Sequence, residues 1–160
     1  MTTTAAFGWG SSYLTATPAG EVNIDPEDRF AVQQTLARYA FALDHADLVA
    51  LESLLTDDAT FTVTVAGEAG LGPFDGRAAI LDLVRESTQA QTDQRRHNLV
   101  NMVFRSADGD TAVVWAYLML TSNAGGRSSV VTTGFSTFTL RRTGDGWRIA
   151  KILVGMDNAG

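Results

Sequence analysis

Histidine is the side chain best suited to moving protons near neutral pH, and this chain has two, His45 and His97. His97 lies in QTDQRRHNLVNMVF (91–104), and the residues after it alternate as a strand does. Strict alternation puts His97, Leu99, Asn101 and Val103 on one face and Asn98, Val100, Met102 and Phe104 on the other. An imidazole and a carboxamide two pleats apart are a poor choice for a dry core. Asn101 favours a polar or wet cavity on whichever face it occupies. Histidine can both take and give a proton, and a buried carboxylate beside it would fix its tautomer and stabilise the imidazolium. Such a pair removes a proton next to a carbonyl and returns it elsewhere. That chemistry serves dehydration, double-bond isomerisation or ring closure, and it calls for neither metal nor organic cofactor. Asn101 could hold a substrate oxygen, as could Tyr39, Trp115 or Tyr117 if they face the same space. Trp115, Tyr117 and Met119 share one strand face with Val113, so either all look inward or none does. Each of these residues also has a plainer reading. A histidine at a strand start serves equally as a surface residue, Tyr39, Trp115 and Tyr117 serve as core, and His45 fits an ordinary residue at a helix C-terminus.

The composition limits the alternatives. With 160 residues, 45% of them hydrophobic, the chain can fold around one core. A net charge of −6 argues against nucleic acid or an anionic membrane as partner, and the pairs Arg95-Arg96 and Arg141-Arg142 are too short to make a basic patch. Cysteine is absent, which removes disulfides, thiol catalysis and thiolate metal sites. There is no HExxH and no clustered histidine pair for a transition metal, GEAGLG lacks the GK[ST] of a phosphate-binding loop, and no GxSxG elbow occurs. No apolar run approaches membrane-span length. MTTTAAFGWGSSYLTATPAGEVN at the N-terminus carries no Lys or Arg and no continuous apolar segment, unlike a signal peptide. These features fit a cytoplasmic protein.

The elements that would position His97 can be read in order. Residues 1–24 are small, polar and Gly-rich and form an N-terminal arm or tail, although Phe7, Trp9, Tyr13 and Leu14 load it with apolar surface. Asp25-Pro26-Glu27-Asp28 supplies an N-cap, a first-turn proline and two acids for a helix over 26–43. Its stripe of Val32, Leu36, Tyr39 and Leu43 is widened by Phe30, Ala37 and Phe41, which predicts substantial burial. Asp47 caps a second, shorter helix built on Leu48, Leu51, Leu54 and Leu55. ATFTVTV (59–65) alternates as a half-buried strand, AGEAGLGPFDG reads as a loop, and a third helix follows over 77–89. Four long strands, near 97–106, 111–122, 128–142 and 147–155, are joined by short Gly-rich turns and form an antiparallel meander. Helices followed by antiparallel strands give an α+β class.

The order helix, helix, strand, helix, four-strand meander resembles the nuclear transport factor 2-like superfamily. Four phrases resemble its SnoaL-like branch, the neighbourhood of polyketide cyclase, scytalone dehydratase and ketosteroid isomerase. They are RYAFALDHADLVALESLLTDDATF (38–61), FDGRAAI (74–80), RRHNLVN (95–101) and GDGWRIAKI (144–152). The resemblance implies a cone, with a curved antiparallel sheet wrapped by about three helices from the N-terminal half around one deep pocket. Residues 25–156 would form that single domain. It further implies that His97 is aimed into the cavity with Leu99 and Asn101 lining it, while Met102 and Phe104 pack against other elements. Asp44, near the end of the first helix in ALDHAD, would stand close to His97 as its orienter or co-base.

The activity so implied is that of a cofactor-free dehydratase, isomerase or cyclase acting on an apolar, oxygenated small molecule such as a polyketide or terpenoid-like intermediate. The alternative is a non-catalytic small-molecule-binding or assembly subunit of the same fold. A homodimer through the outer face of the sheet is also implied. The sequence departs from the family in places. Scytalone dehydratase-like enzymes use a second cavity histidine on the following strand, where this chain has Trp115 and Tyr117. No arginine clearly serves the Asp-Arg-Asp arrangement of the epoxide-hydrolase members. Asp44 with a tyrosine supplies the ketosteroid-isomerase pair only in altered geometry.

Overall fold

The computed structural model describes residues 22–160, so the aromatic residues of the N-terminal arm lie outside the described residues. In chain order the elements are α1 (Pro26–Asp44), α2 (Leu48–Leu54), β1 (Leu55–Val65), β2 (Glu68–Asp75), α3 (Arg77–Gln89), β3 (Gln94–Ala107), β4 (Thr111–Ala124), β5 (Arg127–Thr143) and β6 (Gly146–Met156). Helix α1 starts where its sequence directs: the Asp25 carboxylate accepts the Glu27 N–H at 2.9 Å and Pro26 opens the first turn. Val32, Leu36 and Tyr39 are buried at helical spacing. Phe30 and Phe41 are exposed, so the buried stripe is narrower than the apolar residues suggest. Asp47 caps α2 by accepting the Ala50 N–H at 2.9 Å.

The six strands form one curved sheet in the order β2-β1-β6-β5-β4-β3. Strands β3 to β6 make the antiparallel meander that their short turns require. The sheet as a whole is mixed, because β1 lies parallel to β6. A strand reached only after a long crossover is free to run parallel to its neighbour. The stretch expected to be a loop holds β2, which pairs antiparallel with β1 through Thr60↔Asp75, Phe61↔Phe74 and Val63↔Leu71. Its Gly and Pro content conceals an edge strand. Gly72 has φ +92°, and a Cβ there would stand 2.7 Å from the Phe61 carbonyl oxygen. Pro73 is tolerated because an edge strand leaves one side of its backbone unpaired.

The core lies between the helices and the concave side of the sheet. It includes Leu36 and Leu51 from the helices and Val114, Phe138, Leu140, Ile149 and Ile152 from the strands. Strand β4 contributes Ala112, Val114 and Ala116 to this core. Alternation therefore turns Val113, Trp115, Tyr117 and Met119 to the outer face.

Candidate functional site

The site begins where the C-terminal half of α1 meets the first half of β3. Asp44 is the last residue of α1, a position at which the helix dipole repels a carboxylate. Two donors hold it there. The His97 backbone N–H reaches Asp44 Oδ1 at 2.9 Å, and His97 Nδ1 reaches the same oxygen at 2.8 Å. The Asp44 side chain is 7% exposed and that of His97 24%. Gln94 Nε2 donates to the Asp44 backbone carbonyl at 3.1 Å, which satisfies one of the orphan acceptors of the helix end. The start of β3 is thus fastened to α1 by three hydrogen bonds, two of them on one carboxylate oxygen.

A carboxylate only accepts, so the shared proton belongs to His97 Nδ1. The other ring nitrogen, Nε2, has no hydrogen-bond partner among the described residues. His97 lines a depression of about 440 Å³, within the range of small-molecule sites. The helix side of this space is Ala37, Ala40, Phe41 and Asp44, which lie along one face at i, i+3, i+4 and i+7. Alanine at two of those places leaves the room that larger side chains would fill. The strand side is Leu99 and Met102 together with their β3 neighbours Arg96, Asn98 and Val100. At the mouth, His45 stacks on Phe41 with ring centroids 5.9 Å apart and planes 4° apart. His45 Nδ1 donates to the Phe41 carbonyl at 2.8 Å, the role of a residue closing a helix C-terminus.

The predicted residues separate into those that meet and those that do not. Asp44, His97 and Leu99 meet at the depression. Asn101 does not line it. The register between β3 and β4 shifts between Val100 and Val103, and Asn101 sits in that bulge at φ +54°. The bulge changes the parity of the strand. Leu99 opposes Leu118 and Phe104 opposes Val114, so His97, Leu99, Met102 and Phe104 all look toward the helices. Met102 consequently shares the depression with His97, where strict alternation placed it on the other side.

Tyr39 is buried in the core, its ring edge-on to Phe138 at 5.8 Å, and burial pushes its phenol pKa up. It serves packing and does not border the depression. Trp115 and Tyr117 lie on the outer face of the sheet, each edge-on to Phe135 at 5.4 and 6.1 Å, and Tyr117 is 55% exposed. Neither reaches the site, because their strand presents its alanines to the core instead. Sequence reasoning did not pick out Arg96, Asn98 and Phe41. The signal for Phe41 was its place three residues before Asp44 on the same helix. The signal for Arg96 was its position next to His97 at the start of a strand that proves to be an edge.

Residues 25–152 match the family model described as a SnoaL-like domain. The chain belongs to the SnoaL-like family. Among solved structures, this SnoaL-like chain is similar to a nuclear transport factor 2-like protein with a cystatin-like fold from Novosphingobium aromaticivorans, at 26% identity and TM-score 0.72 over 84% of each chain. A second protein from that organism, whose assignment as an aromatic ring hydroxylase is provisional, is 28% identical with TM-score 0.70 over 84% of this chain and 92% of its own. Aln2 from a Streptomyces species is 25% identical with TM-score 0.73 over 84% of this chain and 94% of its own. No curated protein matches the chain. Among the described residues, no group of three or more His, Asp or Glu is placed to hold a metal ion, and no helix is long and apolar enough to cross a membrane.

Proposed function

We propose that this SnoaL-like protein is a cofactor-free acid/base enzyme, a dehydratase, isomerase or cyclase, acting on an apolar oxygenated small molecule of the polyketide or terpenoid-like kind. One observation carries the reading. Asp44 holds His97 through Nδ1 and leaves Nε2 without a partner among the described residues, and both residues line a mostly apolar depression large enough for a small molecule. In this arrangement Nε2 takes a proton from the carbon next to a substrate carbonyl, and the bond's electrons pass to the carbonyl oxygen as an enolate. The imidazolium that results is stabilised by Asp44. It then returns the proton to a departing hydroxyl for dehydration, to a more distant carbon for isomerisation, or to the alkoxide formed when the enolate carbon closes on a second carbonyl. Asp44 is the orienting residue and His97 the catalytic one. The apolar wall of Ala37, Ala40, Leu99 and Met102 suits a hydrocarbon framework.

The test is solvent exchange. Wild type and His97→Asn are incubated in D₂O with a panel of polycyclic aromatic ketones, and deuterium entering the position next to the carbonyl is followed by NMR. Wild type is expected to exchange at least one substrate class about 10² to 10⁴ times faster than the variant. If no panel member is exchanged faster by wild type than by His97→Asn, the acid/base reading fails and a non-catalytic binding subunit takes its place. We also propose that the protein is a homodimer through the outer face of its sheet. Val100, Tyr117, Met119, Val130 and Leu153 leave a broad apolar patch on that face.

A further inference from the structure

The proton transfer proposed for His97 puts negative charge on a substrate oxygen, and the side chains first expected to hold that oxygen are elsewhere. Tyr39 is in the core, Trp115 and Tyr117 are on the outer face, and Asn101 is in the bulge. Asn98 does line the depression, but it directs its amide nitrogen to the carbonyls of Met119 at 3.0 Å and Arg96 at 3.3 Å. The backbone of β3 supplies a donor instead. β3 is an edge strand, so the sheet pairs only one side of it. In an antiparallel ladder the N–H and C=O of alternate residues point toward the neighbouring strand, and those of the residues between point away. The His97 N–H leaves the ladder for Asp44 Oδ1 at 2.9 Å. The Arg95 carbonyl, two residues earlier, likewise accepts from side chains, Gln94 Nε2 at 2.9 Å and Arg96 Nη1 at 3.0 Å. Leu99 has the same parity, and its pairing with Leu118 is still in register with that of His97 and Leu120. The Leu99 N–H therefore points out of the sheet edge. Among the described residues no side chain and no helix carbonyl accepts it.

The space beyond that edge is the depression. His97 and Leu99 line it, and so do Arg96, Asn98 and Val100, which alternate onto the other face of the strand. Residues of both faces border one space where that space runs along the strand's edge. Opposite stands α1, antiparallel to β3: Asp44 meets His97, and Arg29 lies over the Phe104 ring, 4.4 Å from its centroid. The rise from Asp44 back to Arg29, about 22 Å, is close to that from His97 to Phe104, about 23 Å. Ala40 is one turn before Asp44 and Leu99 is two residues after His97, so the two fall side by side, and both line the depression. The helix thus gives one edge N–H a carboxylate and the next a methyl group. We propose that the Leu99 backbone N–H is the donor that holds the substrate's carbonyl oxygen and stabilises the enolate formed when His97 takes the neighbouring proton. This deepens the acid/base reading and rests on it. In the step the C–H bond breaks and its proton goes to His97 Nε2. The electron pair left behind forms the carbon–carbon double bond, and the carbonyl π pair moves onto the oxygen. The N–H bonds that anion more strongly than it bonds the neutral carbonyl, so it favours the step as well as the binding. A donor fixed by the strand needs no reorganisation as the charge develops.

The test titrates the full chain with an oxyanion probe, 4-nitrophenolate, and with its neutral methyl ether, 4-nitroanisole, at a pH where the phenol is ionised. Backbone amides are followed by ¹⁵N NMR. The Leu99 amide proton is expected to move downfield with the phenolate and far less with the ether, and further than that of Asn98, which points toward β4. In a second arm the Leu99 amide is replaced by an ester, with the α-hydroxy acid of leucine at that position. Wild type should bind the phenolate about tenfold more tightly than the ether. The ester chain should lose that preference, and Leu99→Ala, which retains the N–H, should keep it. A Leu99 amide proton that the phenolate leaves unmoved, no binding of the phenolate, or a preference that survives the ester would each overturn the inference. If the ester chain does not fold, the amide shift decides alone. The two readings fail separately. A Leu99 response in a protein that exchanges no ketone proton leaves an oxyanion-binding site and removes the enzyme. Ketone exchange that depends on His97 beside an unresponsive Leu99 amide keeps the enzyme and removes the donor.

Discussion

Helix α1 is tied to the sheet at both ends by an aspartate, and the two ends differ in what remains unpaired. At the N-terminal end, Asp28 accepts the Trp147 indole N–H at 3.0 Å on one oxygen and the Arg142 guanidinium on the other. Arg142 also lies over the Trp147 ring, 4.7 Å from its centroid, and donates to the Gly109 carbonyl. Asp28 sits in the first turn, where the helix dipole favours a negative charge. At the C-terminal end, Asp44 opposes the dipole, and its imidazole partner lines an apolar space and keeps one nitrogen unpaired among the described residues. Both ends join helix to strand. Only the second carries a group that can change its proton while the anchor stays in place. The difference separates a structural clamp from the proposed site, although both are built on the same residue type.

The largest expected effect is at the open end. His97→Asn should reduce the activity found in the exchange assay by about 10² to 10⁴, with a melting temperature close to that of wild type. Asp44→Asn keeps the shape and loses the charge. It should lower turnover with little change in ligand affinity, and ¹⁵N shifts of the His97 ring should show a mixed tautomer in place of the Nδ1–H form. A single Nδ1–H tautomer in Asp44→Asn would mean that the carboxylate does not set the proton's position.

The closed end should show the reverse. Asp28→Ala strands the Trp147 indole and removes the ion pair of Arg142. Its melting temperature should fall by several degrees while probe binding at the depression is unchanged. This clamp also has a pH signature. Arg142, then Trp147, hold the Asp28 carboxyl below its ordinary value of 3.8. A group with a depressed folded pKa contributes stability that is complete above the unfolded value and is lost as pH falls through the folded one. Wild type should therefore lose stability below about pH 4, and Asp28→Asn should lose less over that interval. Parallel acid limbs in the two proteins would show that Asp28 contributes nothing to acid sensitivity. A smaller effect is expected on the outer face, where Tyr117→Lys should shift a dimer to monomer in sedimentation velocity without altering either anchor. A monomeric wild type would remove the proposed homodimer.

What the sequence made legible follows from the kind of physics involved. Caps are local, and Asp25 and Asp47 announced the starts of both early helices. Turn chemistry is also local, and the meander followed from three Gly-containing connections. The meeting of Asp44 with His97, 53 residues apart, was accessible only through the family resemblance, since no local pattern joins a helix end to a strand start. The face of β4 was undecidable from its own residues. Ala112, Val114, Ala116 and Leu118 are as apolar as Val113, Trp115, Tyr117 and Met119, so periodicity fixes the two sets without saying which is inside. Strand β2 was missed because Gly72 and Pro73 read as loop residues wherever edge pairing is not considered.

Asn101 is the most instructive case, and it supplies the smallest effect to be measured. Its amide looked like a pocket donor when β3 was read as regular. Its actual role lies in the backbone, since Asn is one of the few residues besides glycine that enter the left-handed region at modest cost. A side chain that tolerates φ +54° allows the bulge, and the bulge turns Met102 and Phe104 to the same side as His97 and Leu99. Asn101→Gly should therefore be neutral within about 0.5 kcal/mol, with probe binding intact. Asn101→Val, β-branched at the same φ, should cost about 1 to 2 kcal/mol and disturb the packing of Met102 against the core. A site that tolerated valine as well as glycine would show that the backbone conformation at 101 does not govern which side of β3 faces the depression. A loss of binding in Asn101→Gly would return the amide to the role that alternation first assigned it.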